Sequence, residues 1–236
     1  EDAITDRTKL IFIKSPSNPT GAVYSREELA ELGEVLKKYP NVLIATDDMY
    51  EHILWTDSPF VNIVNACPAL FDRTIVMNGV SKAYSMTGWR IGYCGGPSNL
   101  IAAMKKTQSQ STSNPCSISQ VAAEAALNGD QGCITPMLKA FKERHDFVVE
   151  RLNAMNGVKC LPSDGTFYAF ADFRAAIASR DGINNDLELA DYLLNEAKVA
   201  LVPGSAFGAE GYMRLSYATS MENLDQALSR IESSLS

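Results

Sequence analysis

The sequence predicts an α/β protein, with a three-layer, mostly parallel sheet first and a smaller α+β domain after it. Short apolar runs at residues 10–13 and 42–45 have the length and composition of buried strands, and a segment of helical period separates them. A strand, a helix and a strand joined by short links pair in parallel through a right-handed crossover. After Gly157 the predicted strands are shorter, which indicates a smaller α+β domain.

Four strands are predicted in the first part of the chain. Ser25 precedes acidic residues and is a suitable N-cap for the first helix, in which leucine and valine recur at helical spacing. Residues 61–70 are ambiguous between helix and strand. The predicted strands are 10–13, 42–45, 74–77 and 91–94, and the predicted helices are 26–38, 99–106 and 117–127.

A long helix is predicted from Pro136 to Met155, and we place a domain boundary there. The first domain is then 1–135 and the second 136–236, with the long helix in the second. Beyond this helix the predicted strands are 158–161, 166–171, 199–202 and 213–217, and the predicted helices are 187–197 and 221–235.

Composition and charge exclude several classes of protein. The 236 residues are 46% apolar and 21% charged, with a net charge of −7, which is ordinary for a globular protein. Neither a basic stripe nor a lysine- and arginine-rich run occurs, so a nucleic-acid partner is not expected. No apolar run is long enough to cross a bilayer, so no membrane partner is expected, and the predicted location is the cytoplasm.

Cysteine and histidine usage argues against disulfides and metal sites. The five cysteines are odd in number, scattered, and never in C-x-x-C spacing. This pattern predicts reduced, mostly buried thiols in a reducing compartment. The only histidines, His52 and His145, are far apart in the sequence, so we expect no metal site and assign both histidines structural roles.

One loop combines an amine and a guanidinium. Lys82 and Arg90 lie between two apolar runs, among small and hydroxylic residues that suit close fitting to a ligand. A sequestered lysine can lose its proton and attack a carbonyl, and the planar arginine fork matches a phosphate. An amine that can react with an aldehyde, close to a group that can bind a phosphate, suggests a site for pyridoxal phosphate. A lone lysine is more often a surface residue, so this loop does not decide the matter by itself.

Two other loops supply the remaining groups that a pyridoxal ring needs. Loops at the carboxyl ends of parallel strands are where α/β folds bind ligands. Asp47 is a candidate to keep the ring nitrogen protonated, which makes the ring an electron sink. The Tyr50 hydroxyl and the Asn18 amide are candidate donors to the phenolic oxygen. In the Lys82 loop itself, the Ser81 hydroxyl is a candidate phosphate ligand. Taken singly, Asp47 and Asn18 would usually be turn residues.

Five motifs in order carry a family resemblance. The chain resembles the fold-type I pyridoxal-phosphate aminotransferases of class I/II over essentially its whole length. Within them it looks most like the prokaryotic aspartate (aspartate/prephenate) aminotransferases, on the phrases 86–93 and 214–220. The motifs are Ser17–Gly21, Asp47 with Tyr50, Ser81–Lys82 with Gly88–Arg90, Val202–Phe207, and Arg214–Ala218.

The resemblance implies a reaction and a role for each candidate residue. The expected reaction moves an amino group between an amino acid, aspartate, and a 2-oxo acid, 2-oxoglutarate, in a homodimer. Phe167 and Tyr168 are candidates for lining the substrate pocket. By resemblance, Lys82 holds the cofactor and moves the substrate proton, Asp47 pairs with the ring nitrogen, Tyr50 and Asn18 bind the phenolic oxygen, Ser81 and Arg90 bind the phosphate, and Arg214, with Asn18, binds the substrate α-carboxylate.

The resemblance also implies what this chain does not contain. In the family, a segment before the present Glu1 supplies an N-terminal arm, a phosphate-binding loop and an aromatic residue that stacks on the ring. We therefore expect the large domain here to be only part of the cofactor-binding domain, and the chain alone to be inactive. Two alternatives remain: another fold-type I enzyme such as a β-lyase, and a non-catalytic aminotransferase-like ligand-binding domain of the kind found in winged-helix regulators.

Overall fold

The computed structural model describes residues 1–235, which pack as two compact units. The first unit consists of Glu1–Pro16 and Val23–Pro136. The second consists of Ser17–Ala22 and the chain from Met137 onward. The short segment Ser17–Ala22 therefore belongs with residues that follow it by more than a hundred positions.

The first unit is built on a four-stranded sheet. Its strand order follows the sequence; the first three strands are parallel, and the fourth is antiparallel to the third. The predicted α/β class with a mostly parallel sheet is confirmed. The strands are β1 (Leu10–Lys14), β2 (Leu43–Asp47), β3 (Thr74–Gly79) and β4 (Gly92–Gly95), and the helices are α1 (Arg26–Lys37), α2 (Ile63–Ala66), α3 (Ser98–Ser109) and α4 (Ser117–Asn128), with 3-10 turns at Pro68–Arg73 and Thr87–Trp89.

Helix α1 begins at the predicted cap and covers one face of the sheet. The Ser25 hydroxyl accepts the Glu28 N–H at 3.1 Å, and the Glu28 carboxylate accepts the Ser25 N–H at 2.8 Å. This reciprocal capping box satisfies two of the N–H groups that a helix start leaves unpaired. The core of this face contains Ile13 and Ile44 from the strands with Leu29 and Leu36 from α1, together with Val61, Ile63, Cys67 and Leu70.

The opposite face of β1 is exposed among the described residues. Leu10 is 51% and Phe12 56% exposed, whereas Ile13 on the other face is buried. Alternate residues of a strand point to opposite faces of the sheet. Ile13 therefore lies on the face that α1 covers, and Leu10 and Phe12 lie on the exposed face. Parallel strands normally carry helices on both faces, which explains why the sequence shows no polar alternation here.

Arg73 ties the end of α1 to the start of β2. Its guanidinium donates to three backbone carbonyls at 2.6 or 2.7 Å. These carbonyls belong to Leu36, Tyr39 and Val42. The Leu36 and Tyr39 carbonyls also accept the backbone N–H groups of Tyr39 and Val42, and Arg73 adds a charged donor to each of them at the end of the helix. Because Arg73 directly precedes β3, the same contacts set β2 and β3 side by side.

The second unit carries a smaller antiparallel sheet, which confirms the predicted α+β character. Its strands lie in the order β5-β6-β8-β7. The long helix α5 leads into it. The elements are α5 (Ile134–Ala154), β5 (Lys159–Cys160), β6 (Tyr168–Asp172), α6 (Arg174–Ala178), α7 (Asp186–Tyr192), β7 (Val202–Pro203), β8 (Tyr212–Ser216) and α8 (Met221–Leu235), with a π-helical turn at Leu193–Ala197 and a 3-10 turn at Gly204–Phe207.

The structure corrects three expectations. The helix predicted over 187–197 is α7 followed by a π-helical turn, and the strand predicted over 199–202 is confined to Val202–Pro203. The cysteines are unpaired, but the prediction that most are buried is wrong, since Cys94, Cys116 and Cys133 are exposed. Within residues 1–235 no helix is both long and apolar enough to cross a membrane, and no cluster of potential metal ligands occurs.

We expect Arg73→Ala to lower the free energy of unfolding by about 2 kcal/mol, because it leaves three carbonyls without their charged donor. Chemical denaturation measures this loss. Arg7→Ala is the matched control, since it removes the same charge from an exposed position of the same unit. Equal effects of the two substitutions would contradict the assignment of Arg73 to the α1–β2 turn.

Candidate active site

The carboxyl ends of three parallel strands form one edge of the first unit. Asp47 is the last residue of β2, and Tyr50 lies in the turn that follows. Lys82 follows β3, separated from it by Val80 and Ser81. Parallel pairing brings these strand ends to the same edge, where α/β proteins bind their ligands.

Asp47 is fixed through both of its carboxylate oxygens. Oδ2 lies 3.2 Å from the Lys14 ammonium, and Oδ1 accepts the Met49 N–H at 3.2 Å. Lys14 ends β1 and is in register with Asp47 across the parallel pair. The Asp47 side chain is 18% exposed, so the carboxylate is oriented and still reached from outside.

Tyr50 is buried and has an amine close by. It is 2% exposed, and the Lys82 Nζ lies 6.0 Å from its ring centroid. At this distance the ring face stabilises a cationic amine only weakly. Lys82 itself is half-buried. The structure thus brings a phenol and a lysine amine together at the sheet edge.

Arg90 and Ser81 are arranged differently. Ser81 is half-buried beside Lys82, whereas Arg90 is exposed, with a left-handed backbone at φ 50°. The Arg90 Nη1 donates to the Thr87 carbonyl at 2.8 Å, which folds the side chain back over its own 3-10 turn. The remaining guanidinium donors are available to an anion.

Asp48, next to Asp47, has a structural role. It is buried, and its carboxylate accepts from the Thr46 hydroxyl at 2.6 Å and from the Asn62 amide at 2.7 Å. Burial raises the pKa of the Asp48 carboxyl, and these two hydrogen bonds oppose that rise. The two adjacent aspartates therefore differ in role. Asp48 stabilises the fold through Thr46 and Asn62, whereas the Asp47 carboxylate lies at the sheet edge and is partly exposed.

A second set of candidates lies in the second unit. Arg214 is on β8, and its Nη1 donates to the Asn18 Oδ1 at 2.8 Å. The guanidinium carbon lies 4.4 Å from the Tyr168 ring centroid and 5.1 Å from that of Phe207. Aromatic faces orient an arginine without neutralising it. Asn18 is a neutral partner, so the positive charge of Arg214 stays available to a carboxylate.

Arg214 also has an unmet hydrogen-bonding need. Its Nε is buried and has no acceptor among residues 1–235. Buried polar atoms are nearly always paired, so an orphaned donor on a cation indicates a place for an anion. Of the two aromatic candidates, Tyr168 contacts Arg214, whereas Phe167 packs against Phe141 with ring centroids 5.4 Å apart.

Comparison with known proteins identifies the family. The family model for aminotransferase class I and II matches residues 1–231. The chain belongs to this aminotransferase family. Family members use pyridoxal 5′-phosphate as cofactor, which agrees with the cofactor predicted from the sequence.

Similar proteins include aspartate/prephenate aminotransferase of Nitrosomonas europaea, 62% identical over 241 residues. That alignment covers 100% of this chain and 61% of the relative. Aspartate aminotransferase of Rhizobium meliloti has a crystal structure that superposes with a TM-score of 0.93 at 47% identity, covering 99% of this chain and 60% of that one. An aromatic aminotransferase of Pyrococcus horikoshii gives a TM-score of 0.90 at 36% identity, with coverages of 99% and 61%. The chain thus spans about three-fifths of the aminotransferases that it matches.

The donor set of the first unit fits the family cofactor. A carboxylate suits a protonated ring nitrogen, a phenol suits a phenolic oxygen, and an amine suits an aldehyde. Asp47, Tyr50 and Lys82 supply these three groups at one sheet edge. Arg90 and Ser81 supply cationic and hydroxyl donors for a phosphate.

Sequence reasoning missed two features of these sites. Lys14 is not among the residues predicted for the site, yet its ammonium lies 3.2 Å from the Asp47 carboxylate. The signal was available, because the last residues of two neighbouring parallel strands face each other. Phe207, which lies against Arg214, was known only as part of a motif. Its contact depends on the path of β7 and β8, which local sequence does not specify.

We expect Arg214→Lys to weaken binding of a carboxylate ligand such as maleate roughly ten- to a hundredfold, because lysine loses the two-pronged fork and the flat stacking surface. Isothermal titration of the purified protein measures this affinity. Arg230→Lys is the matched control on an exposed face of α8. An unchanged affinity in Arg214→Lys would remove Arg214 from the carboxylate site.

Proposed function

We propose that this chain forms part of a pyridoxal-phosphate-dependent aminotransferase that moves an amino group between an amino acid and a 2-oxo acid. Aspartate and 2-oxoglutarate are the proposed pair, because the relatives at 62% and 48% identity are named for aspartate. The observation that carries the proposal is the meeting of a carboxylate, a phenol and an amine at one edge of the parallel sheet.

The residues of the first unit are proposed to act on the cofactor. When bound, pyridoxal phosphate withdraws electrons from the substrate Cα, which makes its proton removable. Lys82 anchors the cofactor covalently and then carries the proton to and from the substrate Cα. Asp47, held by Lys14 and the Met49 amide, keeps the ring nitrogen protonated. Tyr50 donates its hydroxyl to the phenolic oxygen.

Phosphate binding is proposed for Arg90 and Ser81. The Arg90 guanidinium keeps donors beyond the one given to Thr87, and a phosphate can accept from two of them at once. The Ser81 hydroxyl adds a neutral donor next to Lys82. Through the phosphate, Arg90 and Ser81 would hold the cofactor in place whether or not it is joined to Lys82.

The residues of the second unit are proposed to bind the substrate. Arg214 takes the α-carboxylate in a two-pronged ion pair, which its fork geometry and its orphaned Nε favour. The Asn18 Oδ1 is engaged by Arg214, so the Asn18 Nδ2 supplies donors for an anionic oxygen of substrate or cofactor. Tyr168 and Phe207 orient the guanidinium, whose carbon lies 4.4 and 5.1 Å from their ring centroids.

Two further properties are proposed, the location of the protein and its oligomeric state. Unpaired cysteines favour a reducing compartment, the cytoplasm. The family resemblance favours a homodimer. A β-lyase would use the same lysine, aspartate and arginine, but the names of the relatives favour transamination. Analysis of products separates the two, since transfer yields a new amino acid and a β-lyase yields pyruvate and ammonia.

We expect borohydride reduction in the presence of pyridoxal phosphate to place a pyridoxyl group on Lys82, because this amine lies at the ligand-binding edge beside Tyr50. Peptide mapping by mass spectrometry locates the label. Lys14 is the internal control: it lies at the same edge but is engaged by Asp47. Labelling that persists in Lys82→Ala, or that falls on Lys14, would reject the assignment.

In an active protein that contains this chain, we expect Asp47→Ala to slow removal of the Cα proton roughly a hundredfold or more, because an unprotonated ring accepts the negative charge of the deprotonated Cα less well. Cofactor affinity falls much less, since phosphate contacts carry most of it. Single-turnover kinetics and a cofactor titration separate the two effects. Asp57→Ala, at an exposed position of the same unit, is the control. Equal losses in rate and affinity would count against a role for Asp47 at the ring nitrogen.

A further inference from the structure

A histidine interrupts the apolar stripe of helix α5. Residues that recur at helical spacing bury this face of the helix: Phe141, His145, Val148 and Leu152. His145 is only 3% exposed. A polar ring in such a stripe is stable only when its nitrogens are hydrogen-bonded. The partners of His145 therefore matter more than its burial.

Both ring nitrogens of His145 have partners in the second unit. Nε2 accepts the backbone N–H of Ser163 at 2.9 Å. Nδ1 lies 2.9 Å from the carboxylate of Asp146. A backbone N–H can only donate, so Nε2 carries the lone pair and Nδ1 carries the proton that Asp146 accepts. Asp146 thus selects the tautomer that can hold Ser163.

The loop that His145 holds lies directly against Gly21. A Cβ added at Gly21 would come within 2.5 Å of the Ser163 Cβ and 2.6 Å of the Gly165 carbonyl oxygen. Gly21 also has φ +69°, a conformation that other residues adopt with strain. The Asp164 N–H donates to the Gly21 carbonyl at 3.2 Å. Loop 163–165 therefore packs against Gly21 and is hydrogen-bonded to it.

The supported glycine closes the loop that carries Asn18. The Gly21 N–H donates to the Ser17 carbonyl at 2.7 Å, and the Ser17 N–H donates to the Ala22 carbonyl at 2.9 Å. These two bonds make Ser17–Ala22 a compact turn. Asn18, within this turn, accepts from Arg214 at 2.8 Å. A continuous path of contacts thus runs from α5 to the guanidinium.

We propose that His145 is a positioning residue for the carboxylate site formed by Arg214 and Asn18. By accepting the Ser163 N–H, it holds loop 163–165 against Gly21 and so fixes the turn that presents Asn18 to Arg214. This inference rests on the proposed function in so far as it assigns a carboxylate ligand to that site. The positional link itself depends on neither cofactor nor catalysis.

Two substitutions of similar size separate the hydrogen bond from packing. His145→Leu extends the apolar stripe but leaves the Ser163 N–H without an acceptor, whereas the side-chain carbonyl of His145→Gln replaces Nε2 as acceptor. Val148→Ala is the matched control: it removes buried apolar atoms one helical turn away and touches no hydrogen bond. All three variants are made in the 236-residue chain.

The first measurement is amide hydrogen exchange, followed by mass spectrometry. We expect segments 17–22 and 163–165 of His145→Leu to exchange roughly tenfold faster, the cost of a lost buried acceptor. His145→Gln retains the parent rates, and Val148→Ala does not accelerate these two segments selectively. The inference is overturned if the Leu and Gln variants exchange alike, or if Val148→Ala reproduces the local acceleration.

The second measurement is the dissociation constant for maleate, beside the extent of borohydride labelling at Lys82. We expect His145→Leu to weaken maleate binding roughly tenfold with labelling unchanged, and His145→Gln to restore the affinity. Weakened labelling together with weakened binding would mean a general loss of structure and would overturn the proposal. If the exchange result is obtained but the parent chain does not bind maleate, the proposed carboxylate ligand of Arg214 is rejected while the positional link stands.

Discussion

Parallel pairing of β1, β2 and β3 is the constraint on which the proposed cofactor-binding edge depends. It brings the carboxyl ends of three sequence-distant strands to one edge and puts Lys14 in register with Asp47. The resulting ion pair orients the carboxylate without a dedicated loop. Arg73 stabilises the same arrangement, because it binds backbone carbonyls from the end of α1 to the start of β2. Geometry at this edge thus follows from strand pairing more than from local loop conformation.

The two units present their key charges in opposite ways. In the first unit the carboxylate of Asp47 is balanced by a lysine, which fixes its direction. In the second unit Arg214 has a neutral amide and two aromatic rings as neighbours, and one of its buried donors lacks an acceptor in the described chain. A group that serves as a fixed counter-ion tolerates a partner. A group that must bind and release an anion is better left with its charge uncompensated.

In two places, neighbouring residues of similar chemistry have different structural environments. Asp48 is buried and holds Thr46 and Asn62, while Asp47 faces the edge. Phe167 packs into the core beside α5, while Tyr168 lies under Arg214. In each pair the alternation of side chains along an extended backbone separates the structural residue from the candidate functional one. His145 is the converse case: it is a polar residue within the buried face of α5, and we propose that it positions the site formed by Asn18 and Arg214.

The sequence by itself determined the α/β class, the capped start of α1 at Ser25, the long helix before the second sheet and the motifs that place Lys82, Asp47 and Arg214 in one family. These depend on short-range periodicity, capping chemistry and spacing, which a linear sequence contains. Only the tertiary structure decided that Lys14 pairs with Asp47, that Tyr168 and not Phe167 contacts Arg214, and that Ser17–Ala22 packs with residues from Met137 onward. Those contacts join residues far apart in the chain, and their geometry is set by strand register and by packing that no local pattern encodes.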